Sequence, residues 1–289
     1  MGLLLVGNHL FLRPLLNGLN FLSYVLLTRL ISCDNDSVMR IAIILFGVFC
    51  FGGISPEVNA EQSALEVIER VDRIFRGNSS RGVATMEVVT ENWERHITVE
   101  LWSLGKDHSL VRVLEPAKEA GTATLMVETN IWNYLPKVDR TIKVPVSMMS
   151  GSWMVSHLNN DDLVKFSQLV EDYDVETVFD GERDSVAVWE FRLTPKIDVA
   201  VVWGYIDYRV RQEDDMPLWA KYYDEDGDLV RTMIFRDFYN LGGRVLPRVT
   251  EIFQEDKPGE RTTFHYRELE FDIDIERSFF SIQTLKRKN

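Results

Sequence analysis

Hydrophobic positions in this 289-residue chain change their period twice. Ile41 to Gly53 is an uninterrupted apolar run. After it, Leu65, Ile68, Val71 and Phe75 recur at helical spacing, with Val67 and Ile74 widening the stripe. Ser63-Ala64-Leu65-Glu66 reads as a capping box, Ser63 as N-cap and Glu66 at the third helical position, and Gly77 as the stop. The pattern predicts an amphipathic helix whose apolar face must lie on something.

From Val83 the period becomes two. Residues 83–89, 97–104, 110–114 and 122–128 read as strands, with Gly105-Lys106-Asp107 and residues 116–121 as connections. Residues 174–179, 185–193, 200–211, 218–223, 229–239, 245–254 and 262–271 continue the series. Asp226-Gly227 marks a hairpin and Lys257-Pro258-Gly259 a turn. Residues 161–169 read as a short helical turn capped by Asn160 or Asp161, and residues 278–285 show no clear period.

So many consecutive antiparallel strands must close, or nearly close, to protect their edges. The expected fold is mainly β with α: one domain over residues 61–289, a strongly curved or incomplete antiparallel barrel with helix and loop over its mouth. Its interior is too wide for side chains alone to fill.

The apolar run at 41–53 follows Met39-Arg40 and precedes Val58-Asn59-Ala60. A basic start, a short apolar stretch and a small residue before polar Glu61 are the parts of a secretory signal, cut after Ala60, so the mature chain is expected to be exported. Residues 1–38 have two readings: sequence upstream of a true start at Met39, or a longer leader or anchor over residues 15–31. Cys33 and Cys50 both fall in residues 1–60, and Phe49 before Cys50 breaks a lipoprotein box. The mature chain therefore has no disulfide or thiolate site.

Three basic residues (Arg13, Arg29, Arg40) and three acidic ones (Asp34, Asp36, Glu57) cancel in the leader, so the mature chain keeps the formal charge of −13. That charge argues against nucleic acid as a partner and against adhesion to anionic head groups. Any lipid affinity is expected from an apolar cavity.

Nothing points to catalysis or a cofactor. His96, His108, His157 and His265 are scattered without metal-ligand spacing, and His157 near Asp161-Asp162 reads as a surface or capping group. There is no G-x-S-x-G elbow, and Ser150 and Ser152 beside Gly151 have no local base. Asp224-Glu225-Asp226-Gly227-Asp228 lacks the glutamate of a calcium loop and reads as a hairpin tip. Asp161-Asp162 reads as a helix N-terminus.

Residues 121–164 stand apart. They crowd Trp132, Tyr134, Met148, Met149, Trp153 and Met154 among Gly, Ser and Asn. Large, adaptable apolar side chains beside loop residues suit a surface that touches apolar ligand and rearranges. With Leu125 of the preceding strand, these are the candidate lipid-binding residues, and residues 147–160 are the candidate lid. Elsewhere the tryptophans read as core.

The words GTATLMVETNIWNYLPKVDRTIKVP (121–145), SMMSGSWMVSHLNNDDLV (147–164) and ELEFDIDIERSFFSIQTLKR (268–287), in this order, resemble the LolA-like outer-membrane lipoprotein-sorting proteins. The resemblance covers nearly all of the mature chain. It implies an unclosed antiparallel barrel, helices covering its concave side, and a hydrophobic cavity for acyl chains. It also implies an inner-membrane transporter and an outer-membrane receptor as partners, or, in the branch matched, a transporter of the resistance–nodulation–division type. Where the family has Gly-Ser-Asp-Phe after Ser152-Trp153-Met154, this chain has Val155-Ser156-His157-Leu158, which removes a glycine and introduces a titratable imidazole. The expected function is a periplasmic acyl-chain carrier between the two membranes; the alternative is a non-catalytic interaction subunit of a lipid transporter.

Overall fold

The chain divides into two units, Met1–Pro56 and Glu57–Asn289. The computed structural model describes residues 57–165, 168–199 and 201–287. The leader read at residues 1–60, with both cysteines, therefore lies outside the described residues up to Pro56.

The second unit begins with helix α1 (Glu57–Arg73). Ala64, Val67, Ile68, Val71 and Asp72 are buried, an i, i+3, i+4, i+7, i+8 stripe. Leu65, expected inside, is 37% exposed, because the inward stripe runs through Ala64 instead. The helix starts six residues before Ser63, so Ser63 is not its N-cap. Gly77 does end the turn after it, with a positive φ of 57° and its N–H donating to the Arg73 carbonyl (3.0 Å).

Thirteen strands follow, in one antiparallel sheet ordered β6-β5-β4-β3-β2-β1-β13-β12-β11-β10-β9-β8-β7. One run is β1 (Ser79–Val89), β2 (Glu94–Leu104), β3 (His108–Glu115), β4 (Ala123–Val127), β5 (Asn130–Leu135) and β6 (Arg140–Lys143). The other is β7 (Tyr173–Arg183), β8 (Val186–Pro195), β9 (Tyr205–Arg211), β10 (Met216–Tyr223), β11 (Leu229–Leu241), β12 (Arg244–Gln254) and β13 (Arg261–Phe271). The two runs join where β1 pairs with β13, and β6 and β7 are left as open edges. The barrel is incomplete, as expected.

The alternation that predicted the strands is the alternation of faces. In β9 every second residue (Ile206, Tyr208, Val210) is buried. Register shifts at Val83/Ala84, Thr98/Val99, Thr177/Phe179 and Pro217/Trp219 curl the sheet. Gly242 and Gly243, at φ 59° and 82°, make the β11–β12 turn, and a Cβ on Gly242 would stand 2.3 Å from the Leu269 carbonyl oxygen. β5 and β6 lie in a stretch read from sequence as loop-rich. Asn130, Asn133 and Asp139 interrupt its apolar alternation, so these short strands form by pairing, β5 with β4 and β6 with β5.

The main core fills the concave face. Met86 and Val88 of β1, Ile97 and Val99 of β2, and Met233 and Phe235 of β11 meet Val67, Ile68 and Val71 of α1 there. Burying each such aliphatic side chain contributes about 1.5–3 kcal/mol. Residues 144–172 leave edge β6 and run to edge β7, carrying helices α2 (Asn160–Lys165) and α3 (Leu169–Asp172). Along the way Trp153, Leu158 and Leu169 enter the main core. On the convex face Leu110, Ala123, Leu125 and Tyr134 are covered by Phe280 and by Leu285 of helix α4 (Ile282–Leu285). No helix of the described residues is long and apolar enough to cross a membrane.

Candidate functional site

The concave face holds a cavity of about 250 Å3. Three parts of the chain wall it. Val71 and Asp72 of α1, with Phe75 and Arg76 of the turn after it, form one side; Trp153, Leu158, Leu163 and Leu169 of the 144–172 segment form the roof. The floor is the inward face of the second strand run: Tyr208, Tyr222, Met233, Phe235, Thr250, Ile252, Phe264 and Tyr266. Its rings are mutually packed. Phe75 stacks on Tyr266 (centroids 5.6 Å), Tyr208 on Phe235 (6.2 Å) and Trp153 over Phe264 (6.4 Å).

The polar groups on the wall are few. Burial raises the phenol pKa values of Tyr222 and Tyr266 to about 12, and that of Tyr208 rises as well, so all three stay neutral. Burial also raises the pKa of the Asp72 carboxyl, against the pull of Arg76, whose Nη2 lies 2.6 Å from Asp72 Oδ2. The lining of this chamber is mainly aliphatic and aromatic. Among the described residues no cluster of three or more His, Cys, Asp or Glu could hold a metal ion.

The roof is tied to the sheet at several points. The Trp153 indole Nε1 donates to Thr124 Oγ1 (3.1 Å), and Arg95 Nη1 donates to the Met154 carbonyl (2.5 Å). The His157 backbone N–H donates to Thr262 Oγ1 (3.0 Å), while its Nδ1 lies 2.8 Å from the same hydroxyl and its Nε2 3.4 Å from Glu260. The strongest tie is buried. Asp162 takes two hydrogen bonds from Arg231 (2.6 and 2.8 Å), whose guanidinium lies over the rings of Tyr222 (4.2 Å) and Trp203 (4.6 Å).

Asp162 also completes a reciprocal capping box. Its N–H donates to Asn159 Oδ1 and its Oδ2 accepts from the Asn159 N–H, both at 2.8 Å, so Asn159 and not Asn160 or Asp161 caps α2. Met154 and Val155 sit at φ 49° and 60°. For a β-branched residue that conformation is strained, and Val155 is the position where the resemblance to the LolA-like proteins implied glycine.

Of the seven residues singled out in the sequence, Trp153 lines the cavity. Met154 packs at the rim of the main core. Leu125, Trp132 and Tyr134 are on the opposite face, in the cluster under α4, where Tyr134 Oη donates to Asp139 (3.1 Å) and Lys143 lies over the Trp132 ring (5.6 Å). The period of two decides this: Thr124 and Met126 face the roof, so Leu125 cannot. Met149 packs with Met126, Ile131 and Val164, and Met148 is 59% exposed. The floor residues of β9–β13 were not singled out, although their inward aromatic alternation was visible.

A family model described as "Uncharacterized protein" matches residues 105–287. This chain belongs to that family, and its fold is LolA-like. The fold is shared with solved structures at low identity. A DUF1329 family protein from Desulfovibrio piger aligns at TM-score 0.71 and 21% identity, over 78% of this chain and 99% of its own. An outer membrane lipoprotein-sorting protein domain from Vibrio parahaemolyticus aligns at TM-score 0.69 and 21% identity, over 78% and 100%. A LolA superfamily protein from Nitrosomonas europaea aligns at 0.66 and 23%, over 76% and 98%. No curated protein matches the sequence.

Proposed function

We propose that this LolA-like protein is a non-catalytic periplasmic carrier that holds an acyl chain of a lipid or lipoprotein in the concave cavity, between release at the inner membrane and delivery at the outer. The observation that carries this reading is the cavity itself, walled by α1, the 144–172 segment and the aromatic floor. The mechanism is partition: each buried methylene contributes about 0.8 kcal/mol. Release follows when a transporter or receptor draws the roof off the sheet. Of the candidate residues, Trp153 and Met154 are positioned to take part; Leu125, Trp132 and Tyr134 hold the opposite face.

The cavity's size supports a second reading. At about 250 Å3 it is below the roughly 300–1,000 Å3 of ordinary ligand sites, which suits a side-chain-filled interaction subunit of a lipid transporter.

Native mass spectrometry of protein purified from the periplasm without detergent, followed by lipid extraction, separates the two. The carrier reading expects a co-purifying acylated ligand, absent from Ile252→Trp, which fills the floor; circular dichroism confirms that this variant is folded. A clean apo mass for the native protein, with no uptake from added phospholipid vesicles, would favour the interaction subunit.

A further inference from the structure

A second hollow, of about 290 Å3, opens at the C-terminal end of α1. Arg73, Arg76, Gly77, Asn78, Leu104, Gly105, Lys106, Asp107 and Arg277 line it, so it presents four cations and one acid. In a chain of formal charge −13 this lining gathers cations, three of which (Arg76, Arg73 and Lys106) are paired with Asp72, Glu69 and Glu171 outside it. The hollow and the acyl cavity have one lining residue in common, Arg76. Its Nη2 faces Asp72 on the cavity wall, and its Nη1 is buried with no hydrogen-bond partner. A buried guanidinium N–H without an acceptor is a position that a ligand oxygen would relieve.

The other cations differ in how far they are already engaged. Arg73 lies 3.6 Å from Glu69, and Lys106 pairs with Glu171. Arg277, exposed in the three-residue turn Arg277–Phe279, makes no ion pair among the described residues. Arg277 and Arg76 Nη1 are thus the two groups with bonding capacity to spare, one lining the hollow alone and one on a residue that lines both hollow and cavity.

We propose that the ligand is an anionic amphiphile with one acyl chain: the chain lies in the apolar cavity, and a phosphate or carboxylate head lies in the cationic hollow, with Arg76 at the junction. This rests on the carrier reading of the cavity and adds the class of head group. The cavity volume sets the number of chains at one, and the spare donors of Arg76 and Arg277 set the sign of the head.

The test is isothermal titration calorimetry of the purified protein, below micellar concentrations, with ligands that share a dodecyl chain and differ in the head. These are dodecyl phosphate, dodecanoate, dodecanol and dodecyltrimethylammonium, with inorganic phosphate alone as a further arm. The anionic pair is expected to bind roughly tenfold more tightly than dodecanol, the scale of a charge-assisted hydrogen bond, with the trimethylammonium weakest. In Lys106→Ala/Arg277→Ala, which leaves the buried Arg76–Asp72 pair intact, the preference for anions should fall to the part that Arg76 alone supplies, while dodecanol affinity holds.

Equal affinity for all four heads in the native protein would overturn the head-group assignment and leave the chain cavity standing. Failure of all four to bind would overturn the carrier reading itself. Inorganic phosphate binding as tightly as dodecyl phosphate would show an anion site that needs no chain, and would also overturn the proposal.

Discussion

Asp162 and Arg231 carry more than their number of contacts suggests. Their side chains are 3% and 1% exposed, and together they fix the roof helix α2 to β10 and β11 through the Tyr222 and Trp203 rings. Removing one partner strands a buried charge. Asp162→Ala is expected to lower stability by about 3–5 kcal/mol, read as a reduced urea midpoint at unchanged slope. The paired change Asp162→Leu/Arg231→Met should recover most of that loss, and a double variant as unstable as the single one would rule out the pair as its source. His157 supplies the pH dependence. Burial lowers its pKa in the closed roof, against the pull of Glu260 and Asp256 and with the push of Lys257. The free imidazole therefore takes up its proton at higher pH than the docked one, so docking is unaffected above about pH 6.5 and weakens as pH falls below it. The protection factors of the Trp153 and Leu158 amides against hydrogen exchange should fall as pH drops below about 6.5, and His157→Gln should abolish that change.

At the scale of elements, α4 shows what sequence pattern can and cannot convey. Leu285 and Phe280 close the convex cluster over Leu110, Leu125 and Tyr134, and Arg112 Nη2 donates to the Thr284 carbonyl (2.6 Å). Leu285→Ala should destabilise by about 2–5 kcal/mol yet leave the proposed acyl binding by the folded fraction intact, since its cluster faces away from the cavity. Loss of binding in folded protein would place the cavity's support elsewhere. Residues 278–285 gave no period because the turn Arg277–Phe279 and the single-turn helix α4 are each too short to repeat one. The long strands were legible because every second side chain enters the core. Which face was concave was not, because parity needs a reference: only once Thr124 is found beneath Trp153 do Leu125, Trp132 and Tyr134 fall on the convex side. The cavity was hidden for a related reason. Phe75 and Tyr266 stack across most of the folded chain, and no local pattern records that meeting.

For the whole molecule, the order of strands determines how the site is enclosed. Both chain ends of the folded unit lead into the middle of the sheet, at β1 and β13, while its two free edges, β6 and β7, are consecutive in sequence and joined by the residues that roof the cavity. The rim of the opening is therefore a closed circuit of covalent chain and sheet, and its perimeter is fixed. Spreading the edges to widen the cavity draws the connecting segment taut across the mouth, like a drawstring; slackening it requires the edges to approach and the floor to narrow. Width of the concave cavity and freedom of access thus oppose each other in this topology, and the length of the connection between β6 and β7 limits how far the two edges can part.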